Sequence, residues 1–186
     1  MKLLISSRAV PTAVFSLLAV CLFSASDAKT LADLEAAAPG TRVIWEFSGG
    51  LYHRNSSDGN TTKFGEGRRP RFSCDGTKIA YVANGGVWVM NSDFSGNRQV
   101  CSGTKTDGDG WASALSWARD CSGDIIFVSS NQHNIMRTTL SGEVSTVYTN
   151  NGVQIIENVD LHPSNRYVLF FRLPHQFAVV DLQTGT

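Results

Sequence analysis

Three stretches of this 186-residue chain share one layout: a bulky residue, a polar turn, then an apolar run. The first reads Arg71-Phe72-Ser73-Cys74-Asp75-Gly76-Thr77-Lys78-Ile79-Ala80-Tyr81-Val82. The second passes from Ser116-Trp117 through Cys121-Ser122-Gly123 to Ile125-Ile126-Phe127-Val128. The third passes from Asp160-Leu161 through His162-Pro163-Ser164-Asn165 to Tyr167-Val168-Leu169-Phe170-Phe171. The bulky residues Phe72, Trp117 and Leu161 stand 45 and 44 residues apart (72 to 117, 117 to 161). A near-constant period of this length implies a stacked array, because one such unit cannot hide its apolar surface alone.

Each unit holds further strands. Asn84-Gly85-Gly86 is a hairpin turn signal before Val87–Asn91, and residues 93–97 turn the chain again before Arg98–Cys101. The second unit continues with strands over 135–140 and 144–149 around Ser141-Gly142; the third continues over 177–182. Val, Ile, Tyr, Phe and Trp suit a pleated, half-buried surface. Ile125–Val128 and Tyr167–Phe171 lack any polar alternation, so these strands are expected to be covered on both faces. A β-sandwich also offers short, evenly spaced strands, but a motif recurring at constant period favours a β-propeller of four-stranded antiparallel blades. The repeats fall at about 42–66, 67–111, 112–155 and 156–186, the first lacking an obvious inner strand. On this period the all-β chain holds about 3.5 blades, whereas closed propellers typically use 4–8. The N-terminal part of a longer propeller protein is therefore expected, with self-association into a closed ring as the rival.

The segment from Phe72 to Tyr81, followed by Val87-Trp88-Val89-Met90-Asn91, resembles the WD-like propeller repeat of TolB-family proteins. That family's pattern is an aromatic, Ser, Pro, Asp, Gly, then Ile-Ala-Phe or Ile-Ala-Tyr, then Ile-Trp-Val-Met. Here Cys74 replaces the proline, the second unit carries Cys121-Ser122 as an insertion, and the third has Ser164-Asn165 for Asp-Gly. The resemblance covers residues 42–186. It implies a propeller; by analogy it implies a protein partner within a cell-envelope complex. Related blades also occur as accessory domains of serine peptidases, so fold alone does not assign an activity.

The start of the chain follows a different logic. Lys2 and Arg8 precede a mostly apolar stretch over 9–25, and the small residues Ser26 and Ala28 sit three and one residues before Lys29. This is the layout of a secretory signal peptide cut after Ala28, which makes 1–28 a leader and 29–41 a linker. The stretch is shorter than the roughly 20 residues a transmembrane helix needs, so no anchor is expected. A lipoprotein signal at Cys21 would place Val20 where a small residue is required. Cleavage takes Lys2, Arg8 and Asp27 from totals of 16 basic and 16 acidic residues. The near-neutral remainder argues against nucleic acid or an anionic membrane surface as partner. Cys74, Cys101 and Cys121 survive; one disulfide with one free thiol, or three buried thiols, both fit.

Chemistry is sparse. No Gly-x-Ser-x-Gly elbow occurs, and His53, His133, His162 and His175 are scattered among separate repeats. His162, at a recurring turn position, is expected to be structural. Asp107-Gly108-Asp109-Gly110-Trp111 places two carboxylates at alternate positions, but Lys105, Trp111 and Ala118 stand where a Ca²⁺ loop needs oxygen ligands, so a polar connection is preferred. No cofactor is implied. Arg68, Arg69 and Arg71 open an inner strand, and inner strands line a propeller's channel; with Trp111 near the channel mouth, they are the candidate ligand-binding residues for an anionic ligand or acidic peptide. Solubilising surface arginines are the blander account. Asn55-Ser56-Ser57 and Asn60-Thr61-Thr62 match glycosylation sequons, which matter only in a eukaryotic secretory route.

The expected protein is a periplasmic or secreted, non-enzymatic propeller scaffold for protein binding. The propeller part of a serine peptidase or other hydrolase, and a carbohydrate-binding surface propeller, are the alternatives. If the leader is cleaved as expected, N-terminal sequencing of the exported chain will read Lys29-Thr30-Leu31; a chain still beginning at Met1 would refute export by this route.

Overall fold

The computed structural model describes residues 14–16, 42–55, 59–104, 115–152, 155–173 and 176–184. Among them every regular element is a strand. Strands β1 (Val14–Ser16), β2 (Arg42–Phe47), β3 (Gly50–Asn55) and β4 (Thr61–Glu66) form a first sheet. Strands β5 (Arg68–Phe72), β6 (Lys78–Ala83), β7 (Gly86–Asn91) and β8 (Arg98–Ser102) form a second. The third comprises β9 (Leu115–Trp117), β10 (Ile125–Val128), β11 (Asn134–Thr138) and β12 (Val144–Thr149). The fourth comprises β13 (Ile156–Leu161), β14 (Tyr167–Arg172) and β15 (Gln176–Asp181). From β2 onward each sheet is an antiparallel meander in chain order, the blade of a propeller.

The blades stack because their middle strands are apolar on both faces. Ile44 and Leu51 of the first blade meet Phe72, Ile79 and Tyr81 of the second. Ala80, Val82, Val87 and Val89 on the second blade's other face meet Leu115, Trp117, Ile125 and Phe127 of the third. Ile126, Val128 and Ile135 then meet Ile156, Leu161, Val168 and Phe170 of the fourth. Adjacent residues of one strand thus serve opposite seams, and burying each such side chain contributes roughly 1.5–3 kcal/mol. The spacing of the bulky residues now has its cause. Phe72, Trp117 and Leu161 each end an inner strand (β5, β9, β13) and plug the seam with the preceding blade. Trp117 also donates from its indole Nε1 to the Arg71 carbonyl across that seam, at 3.0 Å.

One element differs from expectation. The inner position of the first blade, empty on the sequence pattern, is taken by β1, which pairs with β2 in parallel: Val14 with Arg42, Phe15 with Val43, Ser16 with Ile44. These three residues lie inside the segment expected to be a leader.

The polar turns after β5, β9 and β13 share a geometry. The amides of Ser73, Ala118 and His162 donate to the carbonyls of Lys78, Asp124 and Tyr167. Asp75 accepts from the Ser73 hydroxyl and the Thr77 amide, which holds its carboxyl below the usual range. His162 stands where Ser73 stands in the earlier repeat; its Nδ1 accepts from the Ser164 amide at 3.1 Å, a structural role. Two of these turns are joined covalently. Cys74 and Cys121 form a disulfide with Cα atoms 5.4 Å apart, linking the second and third blades. Cys101 remains a thiol, buried in the seam between the same blades, where desolvation raises its pKa.

The disulfide closes a span of 47 residues, so replacing both cysteines by serine should lower stability by roughly 2–4 kcal/mol. Denaturant unfolding of wild type and Cys74→Ser/Cys121→Ser under oxidising conditions measures this. Equal midpoints would mean that blade packing alone holds these turns together.

Candidate binding site at the channel

The inner strands β5, β9 and β13 bring one recurring position to the channel. The residue before each bulky plug is Arg71, Ser116 or Asp160, pairing across its blade with Ala80, Ile126 and Leu169 in turn. Ser116 reaches forward to β13, and Asp160 reaches back to β9. The Ser116 hydroxyl donates to Asp160 Oδ1 at 3.0 Å and accepts the Leu161 amide at 3.1 Å. Arg119, just past β9, sits 3.7 Å from the same Asp160 oxygen. The Asp160 side chain is 68% exposed despite these contacts.

Arg71 is half-buried. Burial lowers its pKa, the nearby charge of Arg69 lowers it further, Asp160 opposes the shift, and Arg119 adds repulsion. Burial also lowers Arg69, with Glu46 opposing and Arg68 reinforcing the shift. Guanidiniums stay protonated throughout the working range, so Arg71 and Arg119 hold two fixed positive charges near one carboxylate, with Arg69 beside Arg71. Arg68 is drawn elsewhere. Its Nη1 lies 3.4 Å from Glu46 Oε1 on the first blade, while the Arg69 amide donates to Glu46 Oε2 at 3.0 Å.

The split among the arginines has a backbone cause. The register slips between Arg68 and Arg71, a bulge in which Arg69 adopts φ 55°. Such an extra residue re-aims the side chains on either side. Just before it, Gly67 at φ 148° carries the chain from the first blade to the second; a Cβ there would lie 2.6 Å from the Tyr81 ring and 2.9 Å from the Val82 carbonyl oxygen. Arg68, Gly49, Glu66 and Asn84 line a shallow cleft of about 210 Å³ between these blades.

Trp111, Asp107 and Asp109 lie outside the described residues. Among the described residues no group of three or more His, Cys, Asp or Glu side chains is placed to hold a metal, and no helix is long and apolar enough to cross a membrane. His53 packs against the Phe94 ring, centroids 4.4 Å apart, in an aromatic cluster with Phe64. What the channel can do chemically is bind an anion: planar, always-charged guanidiniums favour carboxylates and phosphates. Arg119, Ser116 and Asp160 were missing from the sequence candidates. The repeat alignment held the signal for two of them, since Ser116 and Asp160 occupy the place of Arg71.

No protein-family model and no curated protein matches this chain. Solved structures do. TolB from Acinetobacter baumannii superposes with TM-score 0.57 at 17% identity, over 74% of this chain and 36% of that one. A chain of the Nidogen/Laminin complex gives 0.59 at 12% identity, over 78% of this chain and 57% of that one. A chain of the Mitotic Checkpoint Complex gives 0.59 at 13% identity, over 78% and 44%. At these identities the likeness is one of fold: the chain has the blade architecture of TolB and other WD-like propellers. It spans about a third to just over half of the chains it matches.

The geometry separates structural from charged roles in the channel. Ser116→Ala should cost about 1–3 kcal/mol, because it strands the buried Leu161 amide. Asp160→Asn should cost less than about 1 kcal/mol, its carboxylate being exposed to water. Parallel denaturant titrations test this order; a reversal would mean that the charge cluster, not the serine, holds the inner strands together.

Proposed function

We propose that this chain is an exported, non-enzymatic propeller scaffold that binds an acidic segment of another protein at its channel. The observation that carries the reading is that Arg71 and Arg119 share the single carboxylate of Asp160, with Arg69 beside Arg71. A cationic surplus within a concave, partly desolvated setting attracts carboxylates more strongly than the same charges spread over open surface. Asp160 acts as a built-in counterion that an incoming acidic side chain displaces.

Export is supported by the leader pattern and by the Cys74–Cys121 bond, since disulfides persist mainly in oxidising compartments. A protein rather than a small-molecule partner is supported by the likeness to chains in structures described as complexes, Nidogen/Laminin and the Mitotic Checkpoint Complex among them. A role within a cell-envelope assembly belongs to this proposal, on the fold shared with TolB.

A fluorescent Glu-rich decapeptide tests the channel by anisotropy. Arg71→Ala and Arg119→Ala are expected to weaken binding roughly ten- to a hundredfold each, as loss of a charge-assisted hydrogen bond of about 1.5–3 kcal/mol implies. Asp160→Asn is expected to tighten it, and added salt to weaken it. Affinity that ignores all three substitutions would remove the channel from the function.

A further inference from the structure

The turn after β13 departs from the repeat at its left-handed position. After β5, Gly76 takes φ 71° and donates its amide to the Ser73 carbonyl at 3.0 Å. After β13 the same place is held by Asn165, at φ 56°, whose amide donates to the His162 carbonyl at 2.8 Å. Glycine enters this conformation freely, and asparagine is one of the few other residues that visits it as a matter of course. The side chain kept here has partners on another blade. Asn165 Oδ1 accepts the backbone amide of Arg119 at 2.7 Å, across the seam between the third and fourth blades. The same side chain hydrogen-bonds the Asp120 carboxylate, which also accepts the Ser122 amide at 3.0 Å. Bonds from Ser122, and to a lesser degree from Asn165, hold the Asp120 carboxyl below its usual range.

Arg119 needs such a hold. It follows the end of β9, just past the bond from the Ala118 amide to the Asp124 carbonyl, and its side chain is 51% exposed. It also lies close enough to Arg71 for the two positive charges to repel. A long side chain on an exposed turn answers like-charge repulsion by swinging into water, and a ligand that recaptures it meets an entropy cost. Here the fourth blade grips the residue twice. Asn165 fixes its backbone, and Asp160 Oδ1 stands 3.7 Å from its Nη2. From the other side, the bond between Cys121 and Cys74 ties the same turn to the second blade.

We infer that Asn165 is a positioning residue for the channel site: it sets the turn after β9 so that Arg119 already stands beside Asp160 and Arg71 when an acidic segment arrives. The inference rests on the proposed binding of such a segment, and it names part of the machinery that prepares the site. Asn165 acts through the Arg119 amide and need not touch the ligand. A group whose support is fixed by a neighbouring hydrogen bond spares the ligand the cost of ordering it.

Asn165→Gly tests this while keeping the fold, because glycine takes the left-handed backbone freely and already does so at Gly76. The disulfide still holds the turn from the second blade. Hydrogen exchange followed by NMR should show the Arg119 amide exchanging roughly tenfold faster or more in the variant, with the Ser73 amide unchanged. By anisotropy, the variant should bind the Glu-rich decapeptide roughly two- to tenfold more weakly, the ordering cost of one long side chain. The same substitution placed in Arg119→Ala should bring no further loss, because the group it positions is gone. A role confined to holding blades together would weaken both backgrounds alike, and that result overturns the inference. Affinity lost on Arg119→Ala but kept on Asn165→Gly also overturns it, and leaves the acidic-segment reading standing. So does an Arg119 amide whose exchange ignores the substitution. A wild type without affinity for the decapeptide removes that reading and this role together.

Discussion

A sheet that is apolar on both faces cannot stop at one layer. That constraint governs this molecule more than any hydrogen bond or charge. Neighbouring residues of one short strand, such as Ile125 and Ile126, face opposite seams and are both fully enclosed. Every blade therefore needs a neighbour on each side, and the turns, the glycine at 67 and the bulge at Arg69 are devices for moving the chain from one blade to the next without leaving the stack. Hydrogen bonds across seams, such as Trp117 to the Arg71 carbonyl, fix the angle at which the layers meet.

The period of about 45 residues made this architecture legible from residues alone. It marked the plugs Phe72, Trp117 and Leu161, and these take equivalent places in the fold. Strand limits followed within a residue or two, because Asn-Gly, Asp-Gly and Ser-Gly punctuate the chain where pairing must reverse. Two features were not legible. The parallel inner strand Val14–Ser16 sits in a segment whose composition says leader, and nothing in its pattern announces a partner at Arg42–Ile44. The pairing of Cys74 with Cys121 depends on two turns from different repeats being brought to one rim, which only stacking does.

The channel was half legible. A run of arginines at the start of an inner strand drew attention to Arg68, Arg69 and Arg71, but charge density in one dimension does not reveal where a bulge sends each side chain. Arg68 turns to Glu46, a residue 22 positions away with no motif around it. Arg119 and Asp160 come from later repeats and meet only because the blades converge inward. Seeing them required reading the repeats as columns: Arg71, Ser116 and Asp160 share one polar column among apolar ones, although Ser116 itself is buried.

The bond between Cys74 and Cys121 also has a mechanical meaning. It encloses the whole of the second blade's meander after β5 together with the entry into the third. A chain pulled from its two ends would transmit tension through the sulfur bridge and bypass the enclosed segment. At up to about 3.6 Å of reach per residue, a contour on the order of 160 Å is withheld from extension, and those strands can separate from their neighbours under load without ever being drawn out into a line.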